Sequence, residues 1–232
     1  MPTSKGHEHN GLMDTEQLAI DHVVMGVADL DAAAEALGRQ HGITALPGGT
    51  HPLWGTANRI VPLGASYLEL VAVADAEVAA GSAFGSWVGD MAAGRCGWGF
   101  AVRTRDMAAT AARLGLDPVA GTRTRPDGVV LTWQLAGVPD DDARTLPFVL
   151  AWGEGTPFPG DAEVAHDCGD VALDHLELEA DAGRLAHWLD GAHLPLTVSP
   201  GRAGVTAVVL RTGVGHIALT PWGSDRAADD AF

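Results

Sequence analysis

The chain has 232 residues, of which 47% are hydrophobic, and it carries a formal net charge of -16 at pH 7. This length and composition suit one or two globular domains with a real core. The acidic excess repels phosphate backbones and anionic membrane surfaces, which argues against a nucleic-acid or membrane partner. No segment approaches the roughly 18 to 20 apolar residues that a membrane-spanning helix needs.

Two cysteines, Cys96 and Cys168, are too few and too far apart for a disulfide framework or a thiolate zinc site. The polar residues 1–17 lack the apolar core of a signal peptide. We therefore expect a cytoplasmic protein with a disordered tail at 1–17 and a second tail at 223–232.

The first structured segment alternates apolar and polar residues over 18–27, as a strand does. Asp29 is a plausible N-cap for a helix over 30–40. Residues 57–62 and 66–73 then form a predicted hairpin. The order of this unit is βαβββ.

The same order recurs twice further along the chain. We predict paired modules at 18–75 and 95–155, together forming a domain over 18–155, and a third, divergent module at 170–222. A Pro/Gly/acidic linker at 156–169 precedes the third module, and the acidic stretch 139–144 reads as an exposed loop. The repeated order predicts an α+β fold.

The dipeptide Asp-His occupies the same place in two of these modules, at Asp21-His22 and at Asp174-His175. The second module has the corresponding strand over 97–102 but no histidine. If the modules fold alike, the two histidines occupy equivalent positions and could face one cavity.

One longer motif is more specific. Residues 48–59 read GGTHPLWGTANR and residues 66–70 read SYLEL. Together they resemble the glyoxalase-like domain family of the vicinal oxygen chelate superfamily, which includes glyoxalase I, bleomycin-resistance proteins and extradiol dioxygenases. The resemblance continues more weakly through 122–128 and 146–148, so it covers roughly residues 18–155. It implies that the βαβββ modules curl into mixed sheets and pair to enclose a site.

The resemblance also implies a divalent metal ion (Fe, Mn, Ni or Zn), although the superfamily has metal-free members as well. In the superfamily the first and last strands of a module supply the metal ligands, which here gives His22 and Glu69. Superposition of the third module adds His175 and, near the position of Glu69, His216. The second module has Gly99 and Ala151 at these places and departs from the ligand pattern.

Other candidate residues surround this set. His51 lies between two glycines in a predicted loop, where it would project over the pocket mouth or serve only the turn. With Glu69 it forms a candidate acid/base pair. The candidate substrate-binding residues are Trp54, Thr56, Asn58, Arg123 and Arg125. Each has a structural alternative, namely core packing, strand-edge hydrogen bonding or a solvated loop, while an arginine pair could clamp a carboxylate or phosphate.

The sequence therefore predicts a glyoxalase-like protein that binds a small-molecule ligand. The first hypothesis is a divalent-metal-dependent lyase, isomerase or dioxygenase acting on a small oxygenated molecule. The alternatives are a metal-free protein that binds an antibiotic-like or aromatic ligand, and a metal-free lyase or isomerase. An odd number of modules leaves one without a partner, which makes a homodimer possible.

Overall fold

The structure is a computed structural model that describes residues 18–125, 127–138 and 145–221. The predicted tails at 1–17 and 223–232 and the predicted exposed loop at 139–144 lie outside these described residues.

The described chain contains twelve strands and five helices. The first module comprises β1 (Ala19–Gly26), α1 (Leu30–His41), β2 (Leu46–His51), β3 (Thr56–Pro62) and β4 (Tyr67–Val73). Two helices follow it, α2 (Ala76–Ala80) and α3 (Ala83–Ala92). The second module comprises β5 (Gly99–Arg103), α4 (Met107–Leu114), β6 (Val119–Thr124), β7 (Val130–Ala136) and β8 (Phe148–Trp152). The third comprises β9 (Ala172–Glu179), α5 (Ala182–Leu189), β10 (Leu196–Ser199), β11 (Gly204–Thr212) and β12 (Gly215–Leu219).

Local sequence signals account for the first helix. The Asp29 side chain accepts hydrogen bonds from the first free backbone N–H groups of α1. The helix ends at Gly42, whose left-handed φ of 66° suits a residue without a side chain. Ala33 and Leu37 lie one turn apart and face the core. The predicted helix at 30–40 is therefore present with its predicted cap.

The first two modules share one eight-stranded sheet with the order β2-β3-β4-β1-β5-β8-β7-β6. Within each module the first strand pairs in parallel with the last, and the modules join where β1 pairs antiparallel with β5. The sheet curls until its edge strands, β2 and β6, meet. Their closeness is evident at Gly49 of β2, where a Cβ would lie only 2.6 Å from the carbonyl oxygen of Thr124 on β6. The predicted α+β fold with a curled mixed sheet is confirmed.

The third module keeps the βαβββ order along the chain but arranges its strands differently. Its four-stranded sheet has the order β10-β9-β11-β12, so the last strand pairs with β11 and not with the first strand. The superposition that placed His216 near the position of Glu69 is therefore wrong, since β11 lies between β9 and β12.

The two sheets are joined at one short junction. The backbone N–H of Gly97 donates to the carbonyl of Ala203, and Trp98 and Val205 exchange a pair of backbone hydrogen bonds. The buried apolar side chains of all three modules form one continuous cluster. The third module thus shares a core with the first two and is packed as part of the same body.

The helices of this fold are short. The longest helix among the described residues is α1, with 12 residues. None of the described helices combines the length and the apolar character needed to cross a membrane.

Candidate functional site

The first side chain of the site is His22, on a central strand of the curled sheet. A β-bulge interrupts the pairing of β1 with β5 between Ile20 and His22. Side chains of neighbouring residues on a regular strand point to opposite faces, whereas here Asp21 and His22 meet. His22 Nδ1 lies 2.7 Å from Asp21 Oδ1. Because a carboxylate only accepts, Nδ1 carries a proton directed at Asp21, and in the neutral tautomer Nε2 keeps its lone pair.

Asp21 is completely buried and holds this histidine in place. Its second oxygen accepts a hydrogen bond of 2.9 Å from Nε1 of Trp152. Arg103 approaches the same oxygen from outside the cavity, with NH1 at 3.9 Å. A carboxylate behind an imidazole fixes the ring orientation and raises the basicity of the opposite nitrogen, as it does for metal-bound histidines.

Glu69, on β4, faces the free nitrogen of His22, with Oε2 at 3.6 Å from Nε2. Its other oxygen accepts a hydrogen bond from Nδ2 of Asn58 on β3. Asn58 Oδ1 accepts in turn from Arg123 NH1 and from the backbone N–H of Gly49, both at 2.9 Å. Asn58 therefore holds Glu69 with one of the two N–H groups of its amide.

The structural alternative that puts Arg123 in a solvated loop is wrong. Arg123 lies on β6, where it is only 5% exposed and lines the cavity. Burial lowers the pKa of its guanidinium from the ordinary value, and the nearby Glu69 carboxylate opposes that shift. Arg125 lies beyond the end of β6, partly exposed, and pairs with Asp127 at 2.8 Å. Only Arg123 of the predicted pair lines this cavity.

His51 also differs from the loop position expected for it. It is the last residue of β2, paired with Thr56 of β3, and it is buried. Its Nδ1 lies 3.0 Å from the Thr56 hydroxyl, and its Nε2 lies 3.9 Å from Glu69 Oε1. Burial lowers the pKa of His51 to about 4, so the ring is neutral at pH 7. The Thr56 hydroxyl, a predicted donor to substrate, contacts His51 in this structure.

The remaining walls of the cavity are aromatic and apolar. Trp54, one of the predicted substrate-binding residues, lies with its ring centroid 5.4 Å from that of His51. Tyr67 stacks on His22 at 4.6 Å. The other apolar lining residues are Phe84, Trp133, Leu135, Phe148, Leu150 and Trp152. The enclosed volume is about 30 Å³, room for an ion or about one water molecule.

The second module contributes these apolar walls and no ligand from its first or last strand. At Gly99, the position matching His22, a Cβ would lie 2.0 Å from the ring of Trp87 on α3. The β8 side chains that line the cavity are Phe148, Leu150 and Trp152, and not Ala151. The second module therefore lines the cavity with apolar and aromatic side chains where the superfamily pattern would place metal ligands.

The predicted ligands of the third module lie elsewhere. His175 and His216 are on the four-stranded sheet and do not line this cavity. The register between β9 and β11 shifts beside Asp174, which again lets an aspartate meet its neighbour, with His175 Nδ1 at 2.9 Å. His216 Nε2 lies 3.6 Å from the same carboxylate and is largely exposed. A metal site that combines these histidines with His22 and Glu69 is ruled out by their separate sheets.

The cavity contains donor atoms of the kinds that bind a divalent ion. Among the described residues, no three His, Cys, Asp or Glu side chains are arranged as a ready metal-binding group. Ligands about 2.1 Å from a common ion lie about 3.0 to 3.4 Å apart. The contacts from Glu69 to His22 and His51, at 3.6 and 3.9 Å, exceed this by a few tenths of an ångström. The donor types fit a divalent ion, but the side chains would have to move to form a complete ligand set.

The predicted linker at 156–169 is part of a segment that covers the cup. In this cover segment, residues 153–171, the Phe158 ring packs against Tyr67 and Trp152, both of which line the cavity. Gly160 is buried, and its carbonyl accepts a hydrogen bond from the Gly64 backbone. A second small cavity of about 50 Å³ lies between this segment and Arg123. The cup is closed on this side.

Sequence reasoning did not assign Asp21 a role, although the repeated Asp-His dipeptide contained the signal. Tyr67, Phe84, Phe148 and Leu150 carry no such signal, because only the folded sheet shows that they face the cavity. Trp98 does not line this cavity and is buried at the junction with the third module.

Comparison with known proteins shows the family. The model of a family described as "Glyoxalase-like domain" matches residues 20–193. The chain belongs to this glyoxalase-like domain family. The match extends beyond residue 155, where the resemblance read from the sequence ended, and includes α5 of the third module. No protein of curated function matches the chain.

Solved structures show the fold. A hypothetical protein from Staphylococcus aureus is similar over 81% of this chain and 88% of its own, with 15% identity and a TM-score of 0.63. A methylmalonyl-CoA epimerase from Streptomyces coelicolor, solved with 2-nitronate-propionyl-CoA, is similar over 62% of this chain and 99% of its own, with 20% identity and a TM-score of 0.43. A methylmalonyl-CoA epimerase from Mycobacterium tuberculosis covers 61% of this chain and 92% of its own, with 19% identity and a TM-score of 0.42.

Proposed function

We propose that this chain is a divalent-metal-dependent enzyme of lyase, isomerase or dioxygenase type, acting on a small oxygenated organic molecule. The observation that carries the proposal is the convergence of two imidazole nitrogens, on His22 and His51, with the Glu69 carboxylate in one buried cavity. Two neutral imidazoles and a carboxylate suit Fe(II), Mn(II), Ni(II) or Zn(II) and leave positions open for substrate.

Each of the three residues is prepared for this role by its surroundings. Asp21 accepts a hydrogen bond from the Nδ1–H of His22, which leaves Nε2 of the neutral ring free to bind. Burial keeps His51 neutral, which a metal-binding imidazole must be. Asn58 fixes one oxygen of Glu69. A bound divalent ion would supply Lewis acidity, which polarises substrate oxygens.

Other side chains define what the cavity would accept. Arg123 is a buried cation whose fork can bind a carboxylate or a developing oxyanion of the substrate. Trp54 and Trp133 offer flat apolar faces on the same cavity. The cavity of about 30 Å³ would have to open to admit more than an ion, and we infer a substrate with an oxygen-rich, negatively polarised end and an apolar body. Glu69 is the group placed to accept or return a proton, at Oε1 or Oε2, whereas His51 would do so at Nε2 only where no ion is bound there.

Metal content tests the proposal directly. Protein prepared anaerobically with a chelator is loaded with Fe(II), Mn(II), Ni(II) or Zn(II), desalted and analysed by mass spectrometry. We expect about one ion per chain for at least one metal, and loss of that ion in Glu69→Gln and in His22→Gln, because each change removes a ligand of a three-ligand set.

His175→Gln is the matched control, since His175 also follows an aspartate at a bulge but lies on the other sheet. It should retain the ion. A wild-type chain that retains none of the four metals would contradict the proposal, and so would retention by Glu69→Gln.

The aromatic walls favour a second candidate, a metal-free protein that binds a flat ligand. Quenching of tryptophan fluorescence by a panel of aromatic compounds in the presence of chelator measures it. Saturable quenching that is weakened in Trp54→Ala, which removes a cavity ring, would support this function. A flat response across the panel would argue against it. A homodimer and a cytoplasmic location stay predictions from the sequence.

A further inference from the structure

A further cavity, much larger than the two already described, lies at the junction of the modules, outside the buried site. It is bounded by the start of β1, the β3–β4 turn and the residues after β5, and on the other side by β9, β11 and the loop after α5. Its volume is about 910 Å³. Ligand pockets occupy about 300 to 1,000 Å³ and are frequent at junctions between structural units. The size and place are therefore those of a small-molecule site.

The charge of this junction cleft is opposite to that of the protein. The chain has 30 acidic and 14 basic residues. The cleft is nevertheless lined by Arg103, Arg105, Arg211 and His193, and Asp106 is the single carboxylate among its described lining residues. Arg211 has an acidic neighbour outside the lining, Asp174, with 3.9 Å between NH1 and Oδ1. Arg103 likewise has Asp21 at 3.9 Å, so what distinguishes the cleft is the convergence of three guanidinium groups as hydrogen-bond donors.

One of these arginines is fixed before any ligand binds. Arg103 NH1 donates to the carbonyl oxygens of Ala65 at 2.9 Å and Ile20 at 3.2 Å. The guanidinium carbon also lies 5.0 Å from the centre of the Phe158 ring. A pre-positioned guanidinium loses little freedom when it binds an anion, so more of the interaction contributes to affinity.

The rest of the lining is apolar, chiefly Leu18, Ile20, Leu63, Leu173, Leu194 and Pro195. We propose that the junction cleft binds a small organic anion that carries at least two negative charges and an apolar part. Guanidinium groups bind phosphate and carboxylate oxygens in pairs. Both kinds of anion therefore share the recognising chemistry, and the experiment separates them.

Isothermal titration calorimetry at constant ionic strength tests the cleft with pyrophosphate, inorganic phosphate and citrate as probes. We expect saturable binding of pyrophosphate, citrate or both, and weaker binding of inorganic phosphate, which spans fewer guanidinium groups. The double variant Arg105→Gln/Arg211→Gln should weaken the affinity by about tenfold or more, because each guanidinium contributes charge-assisted hydrogen bonds. Arg103 is left intact, since it also approaches Asp21.

Arg39→Gln is the matched control, because Arg39 is an exposed arginine of α1 that pairs with Glu35 and is not among the described lining residues of the cleft. Its affinity should equal that of the wild type. Glu69→Gln should also bind normally, which keeps this result separate from the buried site. Preference for pyrophosphate would identify a phosphate ligand, and preference for citrate a polycarboxylate. The absence of saturable binding, or equal weakening in Arg39→Gln, would overturn the proposal.

Discussion

Asp21 and His22 are neighbours on one strand, yet their side chains touch. The bulge in β1 makes this possible, and a similar shift in β9 does the same for Asp174 and His175. The surroundings then separate the two pairs. Asp21 is sealed and receives a further hydrogen bond from Trp152, whereas Asp174 is partly exposed and faces a second histidine. An identical dipeptide thus gives a buried, oriented imidazole in one sheet and a surface cluster in the other.

His51 gives the clearest pH prediction at this scale. Burial lowers its pKa from 6.5 to about 4 in the folded protein. The unfolded chain therefore binds more protons between these values, and the free energy of unfolding falls as the pH drops through that window. The contribution from His51 is about 2 kcal/mol between pH 7 and pH 5.

Urea unfolding of chelator-treated protein at the two pH values measures this effect. His51→Gln should lose about that part of the pH dependence, because the glutamine does not titrate. His187→Gln, at an exposed position on α5, should keep the full dependence. An unchanged pH dependence in His51→Gln would show that His51 is not the group that titrates.

At the scale of the elements, the cover segment closes one side of the cup. Gly160 is tightly packed against backbone, because a Cβ there would lie 2.4 Å from the Gly64 carbonyl and 2.5 Å from that of Ser66. We expect Gly160→Ala to loosen residues 153–171 and to lower the free energy of unfolding by about 1 to 3 kcal/mol. Cleavage by a Glu-specific protease at Glu163, which is exposed in this segment, should become faster.

Gly81→Ala is the control for this change, because a Cβ at Gly81 has only ordinary contacts, the nearest at 3.5 Å. Its cleavage rate should match that of the wild type. If Gly160→Ala is cleaved no faster, the segment does not depend on this close packing.

The element order was predictable from the sequence because alternation and caps are local. Asp29 and Asp106 mark the starts of α1 and α4, and both accept backbone hydrogen bonds there. β2 and β6 were less visible because glycines interrupt them. These glycines are needed for close approach, since a Cβ on Gly48 would meet Asn58 and one on Gly121 would meet Trp133.

The missed strands explain the errors in the site. Without β2 and β6, His51 and Arg123 were placed in loops, although both are buried strand residues. His22 and Glu69 were predictable because the family resemblance places ligands on the first and last strands of a module, and these two strands have strong apolar patterns. The position of β11 beside β9 was not predictable, because strand order depends on contacts between distant segments and not on local sequence.

On the scale of the whole molecule, the shared core predicts one cooperative unfolding transition. Urea unfolding followed by tryptophan fluorescence and by far-UV circular dichroism should give coincident curves. Gly97→Ala should lower the free energy of unfolding by about 1 to 3 kcal/mol, because its Cβ would lie 2.3 Å from the Ala203 carbonyl at the junction.

Gly38→Ala is the control, since a Cβ on this α1 residue has its nearest contact at 3.9 Å and alanine favours helices. It should be as stable as the wild type or slightly more stable. Two separate transitions in the wild-type chain would show that the third module folds independently.

The ring of Trp87 over Gly99 has a consequence for how this protein can change. Any side chain introduced at Gly99 collides with that indole, so a histidine cannot enter the second module by one substitution. Trp87 must shrink first, and shrinking it alone leaves a void in a fully buried region, which costs several kcal/mol in order of magnitude. A mutational path to a symmetric site therefore passes through a destabilised intermediate, which helps to preserve the division of labour between the two modules.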